Sequence, residues 1–447
     1  MDCGHYFCPA YPGHFKSPLR MRNKDYFKNK KITIVGLARS GLACANLLHD
    51  LGASLSLTEK QDNDAIRLNA EKLKLKNINL ELGRHSPEFI RDRDLIVVSP
   101  GVPLEALPLV WAREFNIPVI SEIEVASILC PATVIAVTGT NGKTTVTTLI
   151  GKILEADGKK AFIYGNIGSP FSGDLDKMAE SDFVSLEVSS FQLETIQTFK
   201  PKISVVLNFS LNHLDRYENA GEYLKAKKRI FMNQDRSDYL VLNSQDPVVK
   251  ELANESKARV VYFRETEGLN PNQAAVSSVG SILGVNEKLV LRVFSEFTGI
   301  EHRLEHLTEI NNIEFINDSK STTVDSTLWA LKNISRPIVL IVGGRDKGND
   351  YSILLEIAGK KVRELIIIGE AKKKIKDALS GVLPISEAET LEEAVKRAFQ
   401  NAQSGDCILL SPMCSSFDMF SDYEQRGKVF KKAVYDLNNT VNKEYIG

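Results

Sequence analysis

Apolar residues along this chain gather in short runs, most of them nearly unbroken. Each run is followed by a polar, glycine-bearing turn and then by a stretch with helical spacing. The runs cover 31–35, 54–57, 94–99 and 118–120, then 134–138, 160–164, 182–186, 203–207 and 239–242, and finally 313–316, 337–342, 364–368 and 406–410. An apolar run of strand length with no alternation is a strand buried on both faces. Strands of that kind alternating with helices predict α/β domains built on parallel sheets, with ligands at the carboxyl ends of the strands. The pattern divides into 21–130, 131–298 and 299–447. Residues 268–275 read as a loop and 282–293 as a helix, together a candidate linker. Residues 1–20 have no continuous apolar core, so they are no signal peptide; either Met21 is the native start or they form a flexible extension.

Composition excludes more than it proposes. At 447 residues a single domain is unexpected. A formal net charge of −1 offers no long-range attraction to nucleic acid or to an anionic membrane, so any phosphate must be bound by local sites. No apolar run reaches membrane-spanning length. The cysteines Cys3, Cys8, Cys44, Cys130, Cys407 and Cys414 form no C-x-x-C pair, which suits reduced thiols in a cytoplasm.

The strongest chemical signal is Gly139-Thr140-Asn141-Gly142-Lys143-Thr144-Thr145, placed between a predicted strand and a predicted helix. Glycines let the backbone approach an anion, and a helix start aims N–H groups at it. Lys143 is expected on the terminal phosphates and the Thr144 hydroxyl on Mg²⁺. The usual phosphate-loop spacing would put the first glycine at 137, which is Val137; Gly139 stands closer instead. Glu187 ends the run 182–186, where a Mg²⁺ ligand is expected in such a sheet. His213 and Asp215 follow the run 203–207 at the same edge. On the predicted helix 222–232, Lys225, Lys227, Lys228 and Arg229 read by charge pattern alone as mostly solvated. In the first domain, Gly36-Leu-Ala-Arg-Ser-Gly41 is an incomplete dinucleotide fingerprint with Ala38 at the second glycine; a structural turn and a diphosphate site both fit it. Ser99-Pro100-Gly101 is another turn at a carboxyl edge. A triphosphate loop, candidate Mg²⁺ ligands and a third domain rich in charged loops favour ATP-driven chemistry on a second substrate, in a cleft between domains.

At this point the sequence resembles the Mur ligases of peptidoglycan synthesis, from about Lys31 to Val434. The likeness is carried by the 139–145 loop, Glu187-Val-Ser-Ser190, Gly165-Asn-Ile-Gly168, Ser189-Ser-Phe-Gln-Leu193, Asn317-Asp-Ser-Lys-Ser-Thr322, Leu410-Ser-Pro-Met-Cys-Ser-Ser-Phe-Asp418 and Glu424-Gln-Arg-Gly427. The last two point to the D-glutamate-adding branch. The resemblance implies three α/β domains: a Rossmann-like N-terminal domain for the UDP-substrate, a central P-loop ATPase-like domain with a mostly parallel sheet, and a Rossmann-like C-terminal domain for the amino acid. It implies a cytoplasmic, monomeric ligase whose partners are ATP, UDP-N-acetylmuramoyl-L-alanine and D-glutamate, working through an acyl phosphate with two Mg²⁺ ions. It places Thr144 and Glu187 on the first ion and His213 on the second. It matches Lys227 to a lysine that becomes carbamylated and so a metal ligand. Asn166 and Ser189, with Arg39, Ser40 and Ser99, fall on the UDP-substrate. Asn272, Arg303, Asp318 and Lys320 fall on ATP, and Thr322, Lys347, Ser416 and Tyr423 on D-glutamate.

Departures from the family pattern are Asn212 where an acid usually precedes the histidine, Pro271-Asn272 in place of His-Asn, Ala275 at a second asparagine, and Tyr423 where Phe is common. Three other readings fit parts of the chain. A related amide ligase, adding L-alanine to a muramate or L-glutamate to folate, shares the architecture. A nucleotide switch needs no acceptor-binding third domain. NAD-dependent oxidoreduction rests on Gly36–Gly41 alone.

Overall fold

A computed structural model describes residues 24–75, 78–166, 169–210, 216–346 and 348–444. The expectations for residues 1–20, Met21, Asn212, His213, Asp215 and Lys347 lie outside the described residues, as do Cys3 and Cys8. The chain forms two compact units that divide between Phe297 and Thr298.

The first unit holds two sheets. In one, β1 (Lys31–Val35), β2 (Ser54–Glu59), β3 (Asn79–Leu82), β4 (Leu95–Val98) and β5 (Val119–Ser121) lie in the order β3-β2-β1-β4-β5, all parallel. That is the Rossmann order, with its switch point between β1 and β4. In the other, β6 (Thr133–Thr138), β7 (Ala161–Gly165), β8 (Phe183–Glu187), β9 (Ile203–Val206), β10 (Tyr239–Asn243) and β11 (Arg259–Phe263) lie in the order β11-β10-β9-β6-β8-β7, again all parallel. The apolar runs are explained by burial on both faces. Along β6, Ile135 and Val137 enter one core cluster and Ala136 the other.

The second unit carries β12 (Glu305–Ile310), β13 (Ile313–Asn317), β14 (Ile338–Gly343), β15 (Val362–Ile368), β16 (Ile385–Glu387) and β17 (Cys407–Leu410), in the order β12-β13-β17-β14-β15-β16. β12 and β13 pair antiparallel, and the others are parallel. Asn311 and Asn312 turn that hairpin, both at positive φ (53° and 63°), the conformation that a two-residue hairpin turn demands and asparagine tolerates.

The candidate linker is corrected. Residues 271–282 and 287–296 are helices, and Ala274, Ala275, Val276, Val279, Val290 and Val293 pack with Ile150, Ile153 and Leu154 in one buried cluster. The start of the first helix carries a legible signal: Asn270 and Gln273 form a reciprocal capping box around Pro271. Its apolar face buries against the helix Lys143–Ala156, so the segment belongs to the central core and not to a connector.

Buried carboxylates join the two halves of the first unit. The helix Glu122–Leu129 follows β5, and the Glu124 carboxylate accepts from the backbone N–H groups of Gln197 (3.0 Å), Thr198 (2.7 Å) and Phe199 (3.0 Å), and from Thr198 Oγ1 (2.5 Å). Glu122 Oε1 accepts from the Ser172 N–H at 2.6 Å, and burial raises the pKa of this acid. Each buried N–H left without a partner costs about 1–3 kcal/mol. Glu124→Ala, which strands three of them, is therefore expected to lower the stability of the first unit by at least about 3 kcal/mol. A urea midpoint within error of the wild type's would refute this assignment.

Candidate active site

At the end of β6 the chain turns through Gly139 and Gly142 into the helix Lys143–Ala156. Gly142 has φ +82°, and a Cβ there would lie 2.4 Å from Asn272 Oδ1, so only glycine fits. Asn272, in the first turn of its helix, therefore stands against the loop. Asn208, just past β9, braces the same loop from beneath. Its Oδ1 accepts from the N–H groups of Thr140 (3.1 Å) and Asn141 (2.8 Å), and its Nδ2 donates to Asn141 O at 3.1 Å. Thr140 Oγ1 exchanges hydrogen bonds with the backbone of Ser210. Lys143 folds back over its own loop, donating to Gly139 O and Thr140 O, both at 2.9 Å.

A second amine reaches the same carbonyl. Lys227, on the helix Ala220–Lys228, donates from Nζ to Gly139 O at 2.9 Å and lies 4.6 Å from the centroid of the Tyr223 ring. This corrects the reading from charge pattern: Lys227 is 2% exposed, whereas its neighbour Lys225 faces solvent. Burial, and then the nearby charge of Lys143, hold its pKa well below the ordinary lysine value, against an opposing pull from Glu187. Glu187 ends β8 at 1% exposure. Its Oε1 accepts from Asn166 Nδ2 at 2.9 Å, and its buried Oε2 has no hydrogen-bond partner among the described residues. Gly165 makes that approach possible, since a Cβ there would lie 2.1 Å from Glu187 O. Ser189 caps the short helix that follows, in a reciprocal box with Gln192.

This donor set fits a hard cation. A buried carboxylate oxygen without a partner is costly unless something positive meets it, and Mg²⁺ takes oxygen ligands. Glu187 Oε2 and the Thr144 hydroxyl are such oxygens; the Lys227 amine is not.

In the first Rossmann-like sheet, Gly36 and Gly41 are packing glycines. A Cβ on Gly41 would lie 1.9 Å from Gly36 O, and one on Gly36 2.8 Å from Ser99 Cβ. Ser99 is buried and its Oγ donates to Gly36 O at 3.1 Å, so its hydroxyl is committed to the fold. Arg39 is exposed and Ser40 half-buried at the start of the helix Arg39–Asp50. The turn N–H of Leu37 donates to Glu59 Oε2 at 2.8 Å.

In the second unit, Asp318 follows β13 and is buried. It accepts from the Leu304 N–H at 3.2 Å, from Ser321 Oγ at 2.5 Å and from Ser411 Oγ at 2.9 Å. Burial raises its pKa in spite of the charge on Arg303. Lys320 lies 5.6 Å from the centroid of the Tyr423 ring, which opens the last helix. Ser416 is buried, and its carbonyl accepts from the N–H groups of Met419 and Phe420. Thr322 is half-buried beside Lys320. These loops are held by Arg426, which is 1% exposed and donates to Ser319 Oγ (3.1 Å), Ser319 O (2.9 Å) and Cys414 O (3.2 Å). Burial lowers its pKa to about 10.

The comparisons agree with this architecture. Residues 30–121 match the model for the Mur ligase MurD-like N-terminal domain, 137–300 the Mur ligase middle domain, and 302–414 the Mur ligase glutamate ligase domain. The chain is 39% identical to a UDP-N-acetylmuramoylalanine–D-glutamate ligase of Thermoanaerobacter sp. (strain X514), over 92% of this chain and 99% of that one. It is 40% identical to the ligase of the same name from Geotalea uraniireducens (strain Rf4), over 92% and 98%. The chain belongs to the Mur ligase family. Among solved structures, its fold is similar to that of a UDP-N-acetylmuramate-alanine ligase from Thermotoga maritima (TM-score 0.57, 18% identity, 91% of this chain and 100% of that one). It is also similar to a pseudomurein peptide ligase type C from Methanothermus fervidus (TM-score 0.56, 17% identity, 92% and 100%).

Within this Mur ligase, Gly139–Thr145, Asn166, Glu187, Lys227 and Asn272 meet at one sheet edge, while Asp318, Lys320 and Tyr423 gather in the other unit. Asn208 and Arg426 escape a search for chemistry-bearing residues. Asn208 directly follows an apolar run and Arg426 lies within Glu424–Gly427, and their work is to hold backbone. Among the described residues no helix is long and apolar enough to cross a membrane, and Cys44, Cys130, Cys407 and Cys414 are free.

Lys227 makes stability depend on pH in a defined direction. Its folded pKa lies below the unfolded 10.5, so between the two values the unfolded chain binds one more proton. Unfolding free energy then rises with pH through that window, by up to about 1.4 kcal/mol per pH unit from this group alone. In CO₂-free buffer, Lys227→Met should flatten the slope by that amount; an unchanged slope would mean that the amine is not desolvated.

Proposed function

We propose that this Mur ligase joins D-glutamate to UDP-N-acetylmuramoyl-L-alanine at the expense of ATP, through an acyl phosphate, in the cytoplasm and as a monomer. The observation that carries the ATP-dependent step is the pairing of an anion-binding loop with a desolvated lysine and a buried carboxylate oxygen that has no partner among the described residues. The acceptor follows the name shared by relatives at 37–40% identity. In this reading residues 21–130 hold the UDP-substrate, 131–298 the nucleotide and 299–447 the amino acid.

A bare carboxylate has no good leaving group, so its oxygen first attacks the γ-phosphorus of ATP and ADP departs. The amino group of D-glutamate then attacks the acyl carbon, loses its proton, and phosphate leaves. The first step brings two anions together. Lys143 offsets that repulsion by exchanging its two loop carbonyls for phosphate oxygens, and the Gly139–Thr145 backbone, with Thr140, Asn141, Gly142 and Thr145, cradles the phosphates. Thr144 and Glu187 would hold one Mg²⁺ and His213 a second, which when bound would supply charge neutralisation at the transferring phosphoryl group. Asn166 and Ser189 with Arg39 and Ser40 take the UDP-substrate, and Ser99, assigned to the same substrate, serves it by shaping the Gly36 turn through its bond to Gly36 O. Asn272 is assigned to ATP, as are Arg303, Asp318 and Lys320. Thr322, Lys347, Ser416 and Tyr423 are assigned to D-glutamate, where a cation and hydroxyls suit a dicarboxylate.

Lys227 has a specific chemical task here. A lysine kept neutral is a nucleophile. Its Nζ adds to the carbon of CO₂ and loses a proton, and the carbamate so formed is an oxygen ligand where the amine was none.

ADP release should require D-glutamate and UDP-N-acetylmuramoyl-L-alanine together. Release with L-alanine and UDP-muramate, or with L-glutamate and a folate, would reassign the acceptor. Lys227→Ala should lose activity by about 100-fold or more, the scale of a lost metal-site contact, and regain part of it with added short-chain carboxylates. Absence of rescue, with wild-type activity unchanged in CO₂-free buffer, would refute the carbamate.

A further inference from the structure

One side chain bridges the edges of the two sheets in the first unit. Arg216 follows directly on residues 211–215 in the central domain. Its Nη1 donates to Pro100 O at 2.9 Å, and its Nη2 to Val102 O at 3.0 Å and to Glu194 Oε2 at 2.6 Å. The guanidinium carbon lies 4.1 Å from the centroid of the Phe191 ring. The Arg216–Glu194 pair is largely out of water, at 12% and 6% side-chain exposure. The second Glu194 oxygen accepts from Tyr217 Oη at 2.6 Å. Pro100 and Val102 belong to the turn after β4, on the first sheet, whereas Phe191 and Glu194 come after β8, on the second.

Each end of this bridge is rigidly tied to groups already assigned. The Val102 N–H donates to Ser99 O, the Ser99 N–H to Val35 O, and Ser99 Oγ to Gly36 O, so the Pro100–Val102 turn cannot move without the Gly36–Gly41 turn. On the other side, Phe191 lies within the four-residue helix that Ser189 caps, and Glu194 directly follows it, only a few residues beyond Glu187. A surface ion pair contributes little, but a planar guanidinium that serves two carbonyls and a carboxylate while stacking on an aromatic ring fixes distance and angle together. Lysine, with a point charge on a flexible stem, can keep the carboxylate but not the fork.

We infer that Arg216 is a positioning residue for the reaction. It sets the separation between the Gly36–Ser99 turn pair of the first domain and the Glu187–Ser189 edge of the central domain, so that an acceptor held by the first presents its carboxylate at the second. This rests on the UDP-substrate reading above. Misplacing a reacting group by about an ångström costs on the order of 100-fold in rate, and the groups that Arg216 holds are Pro100, Val102, Glu194 and Phe191, none of them in the 139–145 loop.

The test uses Arg216→Lys in the full chain, which retains a cation for Glu194. Three quantities are measured: kcat/KM for the UDP-linked acceptor, KM for D-glutamate, and the Kd of ATP. The expected result is a fall of about tenfold or more in kcat/KM for the acceptor, with the other two within about twofold and faster hydrogen exchange in peptides spanning 99–106. An unchanged kcat/KM for the acceptor would overturn the inference, and so would a uniform loss on all three substrates with a lowered Tm. If the lysine variant does not fold, Glu194→Gln, which loosens one Nη2 bond and keeps both carbonyl bonds, should give a smaller loss confined to the same substrate; a loss spread over all three would overturn the inference. If the wild type proves to use a different acceptor, titration of ATP and of UDP-N-acetylmuramoyl-L-alanine by calorimetry separates that failure from this one.

Discussion

Two lysine amines, Lys143 and Lys227, donate to one carbonyl oxygen, that of Gly139. Much of the central domain is arranged around that convergence. Two cations at one acceptor repel, and in a buried place the repulsion is not screened. Burial and the charge of Lys143 push the Lys227 amine toward its neutral form, and Glu187 pulls the other way. The loop therefore holds a surplus of hydrogen-bond donors in a pocket of low dielectric, beside an acid oxygen that has no partner among the described residues. Such a site is poorly satisfied by itself. It is completed by a polyanion and a hard cation, which is what a ligase activating a carboxylate has to bring together.

The scaffold keeps that arrangement in place with backbone contacts more than with side-chain chemistry. Glycine at 142 lets Asn272 stand against the loop, and glycine at 165 lets the Asn166 turn close on Glu187. Asn208 occupies the N–H groups of Thr140 and Asn141, which ties the loop to the end of β9. The first domain is joined to this platform at two places of different character. Glu124 receives four donors from the 197–199 segment, a rigid clamp far from the loop. Arg216 grips the turn after β4 at the carboxyl edge, where the substrate groups are assigned.

Much of this was legible in the linear order of residues, for a definite reason. Parallel strands buried on both faces write themselves as unbroken apolar runs, and their carboxyl-end loops write themselves as glycine and polar clusters. The phosphate loop, Glu187 and the Asn317–Thr322 segment are visible in that way. Hidden are the places where a residue's neighbour is distant in sequence. Lys227 sits among Lys225, Lys228 and Arg229 and shares their composition; only the packing of its helix over Gly139 buries it. The helix over 271–282 looks like a connector because its buried positions are alanine, valine and glycine, too small to announce a core until they meet Ile150 and Ile153. Ser99 looks like a free hydroxyl at a strand end, yet it is committed to Gly36.

What the sequence determined by itself is the list of parts: three α/β domains, an anion loop, a set of carboxylates and amines, and through shared motifs the family of ligases to which they belong. These follow from short-range rules, since burial pattern, turn chemistry and helix caps are all local. The tertiary structure alone decided which parts meet, and in what charge state. The lowered pKa of Lys227, the Glu187 oxygen without a partner among the described residues and the fork of Arg216 exist only once distant segments have removed water from between them. Desolvation is a property of the assembled environment, and no spacing within one segment encodes it.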